Sequence, residues 1–338
     1  MTSRERVIAA IDFTGPDRVP FRHCVLPASF QGHPDLPRLL AHYPSDFEGE
    51  NGLPPAVLPQ SYRAGRYTDE WQCVWTVLRD GYIGQVTEHP LLNLDRLSTY
   101  DFPPPPAAGA WRPPGERYRC SGWMTLFERM VGLCGFDNLL VELAFGNPRL
   151  IEIRDRIVEH NLGCVRSILS EGADGVYFAD DWGTQVGLMV SPDLWREVFL
   201  PAYRRQFAPV REAGKHVFFH TDGVTLDVLP DLVDAGVNVF WSDLTVNPLD
   251  DLRRALGGKV CFQALTDVQF ILRTGTPDAV RQHGRDIVAA LGSFNGGAIG
   301  CHEVAADQPW ENVVAIFRAF NDDGAYPLSF RWTGERGE

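Results

Sequence analysis

One stretch of the chain, Lys215-His216-Val217-Phe218-Phe219-His220-Thr221-Asp222-Gly223, drives an apolar run into a histidine and an aspartate two positions apart, then stops at glycine. Side chains alternate along a strand, so His220 and Asp222 share one face. Other apolar runs end in similar company. Asp180, Asp181 and, slightly further on, Gln185 follow Gly175–Ala179. Asp243 follows Val237–Trp241, and Gln263 closes the run from Val260. Cys301, His302 and Glu303 follow Gly297–Gly300, and Arg22 and His23 lie near the first strand. Two imidazoles and a carboxylate suffice for a metal site with open positions, either zinc or another divalent transition metal such as non-haem iron. The candidate ligands are His220, Asp222 and His302, with Asp180, Asp181, Glu303 or Cys301 able to add a donor. The same residues also read as a hydrogen-bonded wall without metal, His302 then taking a substrate carboxylate. Cys301 reads more readily as a small buried filler. One of Asp180 and Asp181 is expected to face substrate. Arg22, Trp123, Gln185, Asp243, Gln263 and Glu303 are the remaining substrate-binding candidates, whereas Trp71 and Trp75 read as packing.

These side chains need a scaffold that gathers strand ends. From residue 117 to about 321, short apolar runs alternate with helical ones. Helices are expected over Pro148–Glu171, Ser191–Ala213, Leu226–Ala235 and Leu249–Leu256, from Thr276 to about Leu291, and over Pro309–Asn321. The strands lack polar alternation, which marks parallel strands covered on both faces. Neither G-x-G-x-x-G after a strand nor G-x-x-x-x-G-K-[ST] occurs, so the nucleotide-binding α/β folds lose weight. The expected class is α/β, a (β/α)8 TIM barrel in one domain, with its site at the carboxyl-terminal strand ends. Residues from about 28 to 115, rich in Pro, Gly and aromatics, read as an insertion or lid. It includes a hairpin over Tyr67–Val86 turning at Arg79-Asp80-Gly81. The run Asn138–Phe145 is ambiguous between helix and strand.

With 338 residues and 44% hydrophobic composition the chain can bury a large core, and its net charge of −13 argues against nucleic-acid or anionic-membrane partners. Seven scattered cysteines without C-x-x-C suggest no disulfide framework. No apolar segment is long enough to span a membrane, and the amino-terminal stretch has no long apolar region, so a cytoplasmic location is expected.

Several segments together resemble the uroporphyrinogen decarboxylase superfamily: RERVIAAIDFTGPDRVPF, DEWQCVW, SGWMTLFERMVGLCG, ADGVYFADDWGTQ, GKHVFFHTDGVTLDVLPDLVDAGV and GAIGCHEVAADQPWENVVAIF. The resemblance implies a (β/α)8 barrel. It also implies one of two chemistries, cofactor-free decarboxylation or zinc-dependent methyl transfer involving corrinoid proteins. The decarboxylase's arginine-rich segment near the first strand is missing, only Arg22 being present, which argues against haem-pathway activity. Its F-D-S-W is similar to Ala179-Asp180-Asp181-Trp182, and its late G-H falls on His302. The methyltransferase branch binds zinc through H-x-C and a distant cysteine. Here the first motif lands on His220-Thr221-Asp222, and the second position lands on His302, with Cys301 one residue early. Aspartate for cysteine makes a harder set, which favours oxygen ligands over thiolate. The leading expectation is metal-assisted methyl transfer from a small molecule, with a corrinoid supplied only by a separate partner protein. The alternatives are a decarboxylase-like lyase without cofactor and a non-catalytic ligand-binding barrel. A homodimer is the default assembly.

Overall fold

The computed structural model describes residues 1–50 and 54–334. Ten strands occur among them: β1 Phe21–Val25, β2 Gly65–Thr68, β3 Val74–Val77, β4 Gln85–Glu88, β5 Cys120–Met124, β6 Gly175–Ala179, β7 His216–Thr221, β8 Val239–Ser242, β9 Cys261–Leu265 and β10 Ala298–Val304. Seven form one parallel curled sheet in the order β1-β10-β9-β8-β7-β6-β5. Its edges meet through a three-residue stave, 46–48. Asp46 N donates to Phe21 O (2.8 Å), Tyr118 N to Asp46 O (2.9 Å) and Glu48 N to Tyr118 O (2.9 Å). The ring is thus a (β/α)8 barrel whose eighth wall element is minimal. Residues 46–48 lie within the stretch read as an insertion, yet they belong to the wall. The rest of that stretch carries the antiparallel sheet β2-β3-β4, so the hairpin of the sequence reading is a three-stranded unit.

The helices start where the sequence supplies caps. Asn147, Ser191 and Thr276 each accept a backbone N–H with proline directly behind them, so the fixed proline φ opens the helix without wasting a donor. The ambiguous run is helical, within Phe136–Ala144. Every residue of β6 is buried, as expected of a strand covered on both faces. Alternation then divides the core. Tyr177, Phe218, Val239, Trp241, Cys261, Leu265 and Ile299 fill the lumen, where Val7 and Ile11 of the first helix also pack. Phe178, Phe219, Phe240 and Phe262 point the other way, into the core beneath the helices.

Two strands run further than the apolar runs suggest. β7 extends through Thr221, and β10 through Val304, because β1 pairs with it in register as far as Val25 and Val304. Cys301, His302 and Glu303 therefore lie inside a strand, where parity decides which of them faces the lumen.

Candidate active site

His220, on the lumen face of β7, is held by its neighbour strand. Its Nδ1–H donates to the Trp241 carbonyl at 3.1 Å. This fixes the ring orientation and leaves Nε2 directed toward two carboxylates, Asp181 Oδ1 at 3.5 Å and Asp222 Oδ2 at 3.8 Å. One donor atom from each of the three residues lies within 4.8 Å of the others. The Asp222 backbone N–H donates to Asp181 Oδ1 at 3.1 Å, so one acid aims the other. The alignment depends on two glycines. A Cβ on Gly223 (φ +77°) would sit 2.2 Å from the Gly183 carbonyl carbon, and one on Gly183 would sit 2.5 Å from Gly223. Only hydrogen in place of Cβ lets the ends of β6 and β7 touch, which is why the apolar run of β7 ends at glycine.

The donor set suits a divalent cation. A histidine bonding a backbone carbonyl through its second nitrogen is the usual outer support of a metal ligand. Asp222 Oδ1 is buried without a hydrogen-bond partner. Burial, opposed by His220 and reinforced by Asp181, Asp243 and Glu303, pushes the Asp222 carboxyl up to about 6.

His302 is not part of this group. It is two residues from Gly300, whose absent side chain would meet Phe320, and it shares that outward parity. It is fully buried beside Phe317. Its Nε2 lies 3.0 Å from Gln308 Oε1, and Thr266 Oγ1 lies 2.8 Å from Nδ1. Gln308 Oε1 can only accept, so Nε2 carries a proton; in the neutral ring that burial enforces, Nδ1 then accepts from the Thr266 hydroxyl, and both nitrogens are occupied. Burial pushes its pKa down to about 4. The grouping of His220, Asp222 and His302 expected from sequence is thus replaced by Asp181, His220 and Asp222, because β10 places its histidine on the helix side.

Asp180 has the same outward parity. Its carboxylate accepts Leu126 N–H (3.0 Å), Glu128 N–H (2.8 Å) and Tyr203 Oη–H (2.6 Å), the hydroxyl itself accepting from Trp182 Nε1 at 2.9 Å. Burial pushes it up to about 7 against these donors. Asp180 therefore fixes the start of the helix Phe127–Cys134, and Asp181 is the member of the pair that faces the lumen. That helix carries a residue the sequence reading passed over. Glu128 sits in its first turn, and burial, with Asp180, Asp181 and Asp222 nearby, pushes its carboxyl up to about 8.

Arg22 lies over the rings of Phe47 and Tyr177, each 5.0 Å from its guanidinium carbon, and is paired with Glu50 at 2.9 Å. Gln263 is buried, accepts from Arg22 at 3.2 Å and reaches Cys301 Sγ at 3.5 Å. Glu303 shares the lumen parity of Cys301, and burial raises its pKa while His220 lowers it. Asp243 accepts the Thr245 N–H at 2.8 Å. Trp123 packs face to face on Tyr177, ring centroids 5.1 Å apart, and 5.4 Å from His220. Gln185 stands apart on an exposed turn between Gly183 and Leu188.

A barrel with convergent acids and an imidazole at its carboxyl-terminal mouth defines an α/β enzyme class in which loops and strand ends do the chemistry. The model of the uroporphyrinogen decarboxylase (URO-D) family matches residues 120–322, and the chain belongs to that family. In fold it is similar to a methyltransferase from Methanosarcina mazei, at TM-score 0.65 and 15% identity over 95% of this chain and 99% of that one. A dihydropteroate synthase from Xanthomonas albilineans overlaps only in part, at TM-score 0.34 and 15% identity over 58% of this chain and 65% of that one. No curated protein matches the sequence. Among the described residues no helix is long and apolar enough to cross a membrane.

Proposed function

We propose that the chain is a methyltransferase. It takes a methyl group from a small organic substrate at the barrel mouth and passes it to a corrinoid carried by a separate protein. The observation that carries the reading is the imidazole of His220, its Nδ1–H held by the Trp241 carbonyl and its Nε2 flanked by Asp181 and Asp222. Family membership and the likeness in fold to a methyltransferase support it. Asp181, His220 and Asp222 would hold a divalent metal, zinc or a relative. When bound, such an ion supplies a Lewis acid for an oxygen on the substrate. The chain's own residues do the rest. Two carboxylates and one imidazole form a hard set that selects oxygen over thiolate. The Asp222 N–H and the Gly183–Gly223 contact hold the acids in register before substrate arrives. Trp123 stands beside the site, 5.4 Å from the His220 ring.

Elemental analysis of the purified chain beside His220→Ala, Asp181→Ala and His302→Gln tests the site. Near-stoichiometric metal that disappears in the first two variants and persists in the third is the expected result. Metal lost with His302 and kept without Asp181 would refute the assignment. Transfer itself is read from the absorbance of a reduced corrinoid as methyl donor is added.

A further inference from the structure

The mouth holds more negative charge than one divalent ion neutralises. Asp181 and Asp222 face His220, and Asp243 and Glu303 act on Asp222. Nearby guanidiniums are engaged elsewhere, Arg22 with Glu50 and Arg129 with Asp69. Beside these acids stands an aromatic wall. Trp123 is 53% exposed although it rests on Tyr177, and Trp241 meets it at 72° with centroids 5.9 Å apart. With Tyr177 stacked on it and the His220 ring 5.4 Å away, about half of the Trp123 indole surface is still left open. Trp241 is 8% exposed, and its Nε1–H has no acceptor, just as Asp222 Oδ1 has no donor.

An open indole face attracts a cation through the ring quadrupole, and surplus carboxylates add to that attraction. A buried N–H without an acceptor calls for an oxygen on the same ligand. Methyl groups on nitrogen spread the charge and weaken hydration, which suits an aromatic face better than a primary ammonium, whose protons need directed acceptors.

We propose that the substrate is a methylated ammonium compound that also carries an oxygen function. Its ammonium lies on the open surface of Trp123 in the field of Asp243 and Glu303, and its oxygen accepts from Trp241 Nε1. This inference deepens the methyl-transfer reading and rests on it. Removing one methyl group breaks a C–N bond, and the electron pair stays on nitrogen. The reduced corrinoid supplies the pair for the new bond to carbon. A neutral tertiary amine leaves, so no proton need be delivered into a mouth crowded with acids.

Calorimetric titration of the full chain with choline, tetramethylammonium and 3,3-dimethylbutan-1-ol, the neutral carbon isostere of choline, tests the proposal. Choline is expected to bind most tightly, with the isostere weaker by at least ~10-fold. Tetramethylammonium should fall between them, because it lacks the oxygen. Trp123→Ala, and Asp243→Asn with Glu303→Gln together, should each weaken choline at least ~5-fold with melting unchanged, while Trp123→Phe retains most of the affinity. Equal binding of choline and its isostere, or no binding of either, overturns the ammonium class. If the neutral ether 2-methoxyethanol is demethylated in preference to choline, methyl transfer stands and the ammonium inference falls. If choline binds as expected yet no methyl group ever reaches a corrinoid, binding stands and the methyl-transfer reading falls.

Discussion

Replacing His302 by glutamine separates a structural histidine from a ligand, and the separation shows in the pH dependence of stability. The imidazole is fully buried and neutral, with its pKa pushed from 6.5 to about 4 by burial. Once unfolded it returns to about 6.5. Between those values the unfolded chain binds a proton that the folded chain refuses, so stability is lost as pH falls. The contribution is fully present above pH 6.5 and drains away toward pH 4. For a folded value of about 4 the loss is ~2 kcal/mol at pH 5 and ~3 kcal/mol at pH 4. Glutamine cannot titrate, so the variant lacks this slope. At pH 7 it should be less stable by ~1–3 kcal/mol, because Thr266 and Gln308 lose well-placed partners. Urea unfolding of both proteins at pH 7 and pH 5 is the assay, with the gap between them narrowing by ~2 kcal/mol at the lower pH. His23, His160, His216 and His283 are also pushed down by burial, but they are common to both proteins and cancel in the comparison. Curves that stay parallel would refute the neutral, doubly bonded imidazole.

Other perturbations probe the remaining joints. Gly223→Ala should strip metal from a chain that still folds. Positive φ alone costs ~1–2 kcal/mol, and the clash with Gly183 then forces Asp181 and Asp222 apart, which metal content and melting temperature report together. Asp180→Asn should lower stability by ~1–3 kcal/mol by turning an amide donor toward backbone N–H groups, whereas Asp181→Asn should leave melting nearly unchanged and abolish metal binding. Arg22→Met should cost roughly 3 kcal/mol by stranding Glu50, and adding Glu50→Gln should recover most of it; equal instability of single and double variants would show that packing against Phe47 and Tyr177 matters more than charge.

The barrel was legible because βα alternation and proline-led caps are local signals, and they held from β5 to the closing helix Trp310–Asn321. The shared face of His220 and Asp222 followed from strand periodicity alone. Parity across strands was harder to read. A strand buried on both sides has no polar alternation to mark its inward face, so the run ending in Cys301-His302-Glu303 gave no reason to exclude its histidine. Asp180 and Asp181 presented the same ambiguity one strand away. Glu128 was hidden differently, since its role depends on a helix starting directly behind β5, and the apolar SGWM there does not announce a strand end. The stave at 46–48 is too short to carry a period at all.

That short stave makes the barrel a clasped ring. Three backbone hydrogen bonds close the wall there, and the fastening is electrostatic: the buried Asp46 carboxylate takes Arg6 at 2.7 Å, Arg18 at 2.9 Å and the Phe21 N–H at 2.8 Å. By contrast, β6 and β7 are zipped along most of their length. Local opening follows the weakest run of bonds, so amide protons at Asp46, Glu48 and Tyr118 should exchange with solvent well before those of β6 and β7. Glu50 lies just beyond the clasp and holds Arg22 in the lumen. Each opening of the seam therefore loosens the guanidinium beside Tyr177, and the breathing of the wall reaches the floor of the site without crossing the strands that carry Asp181, His220 and Asp222.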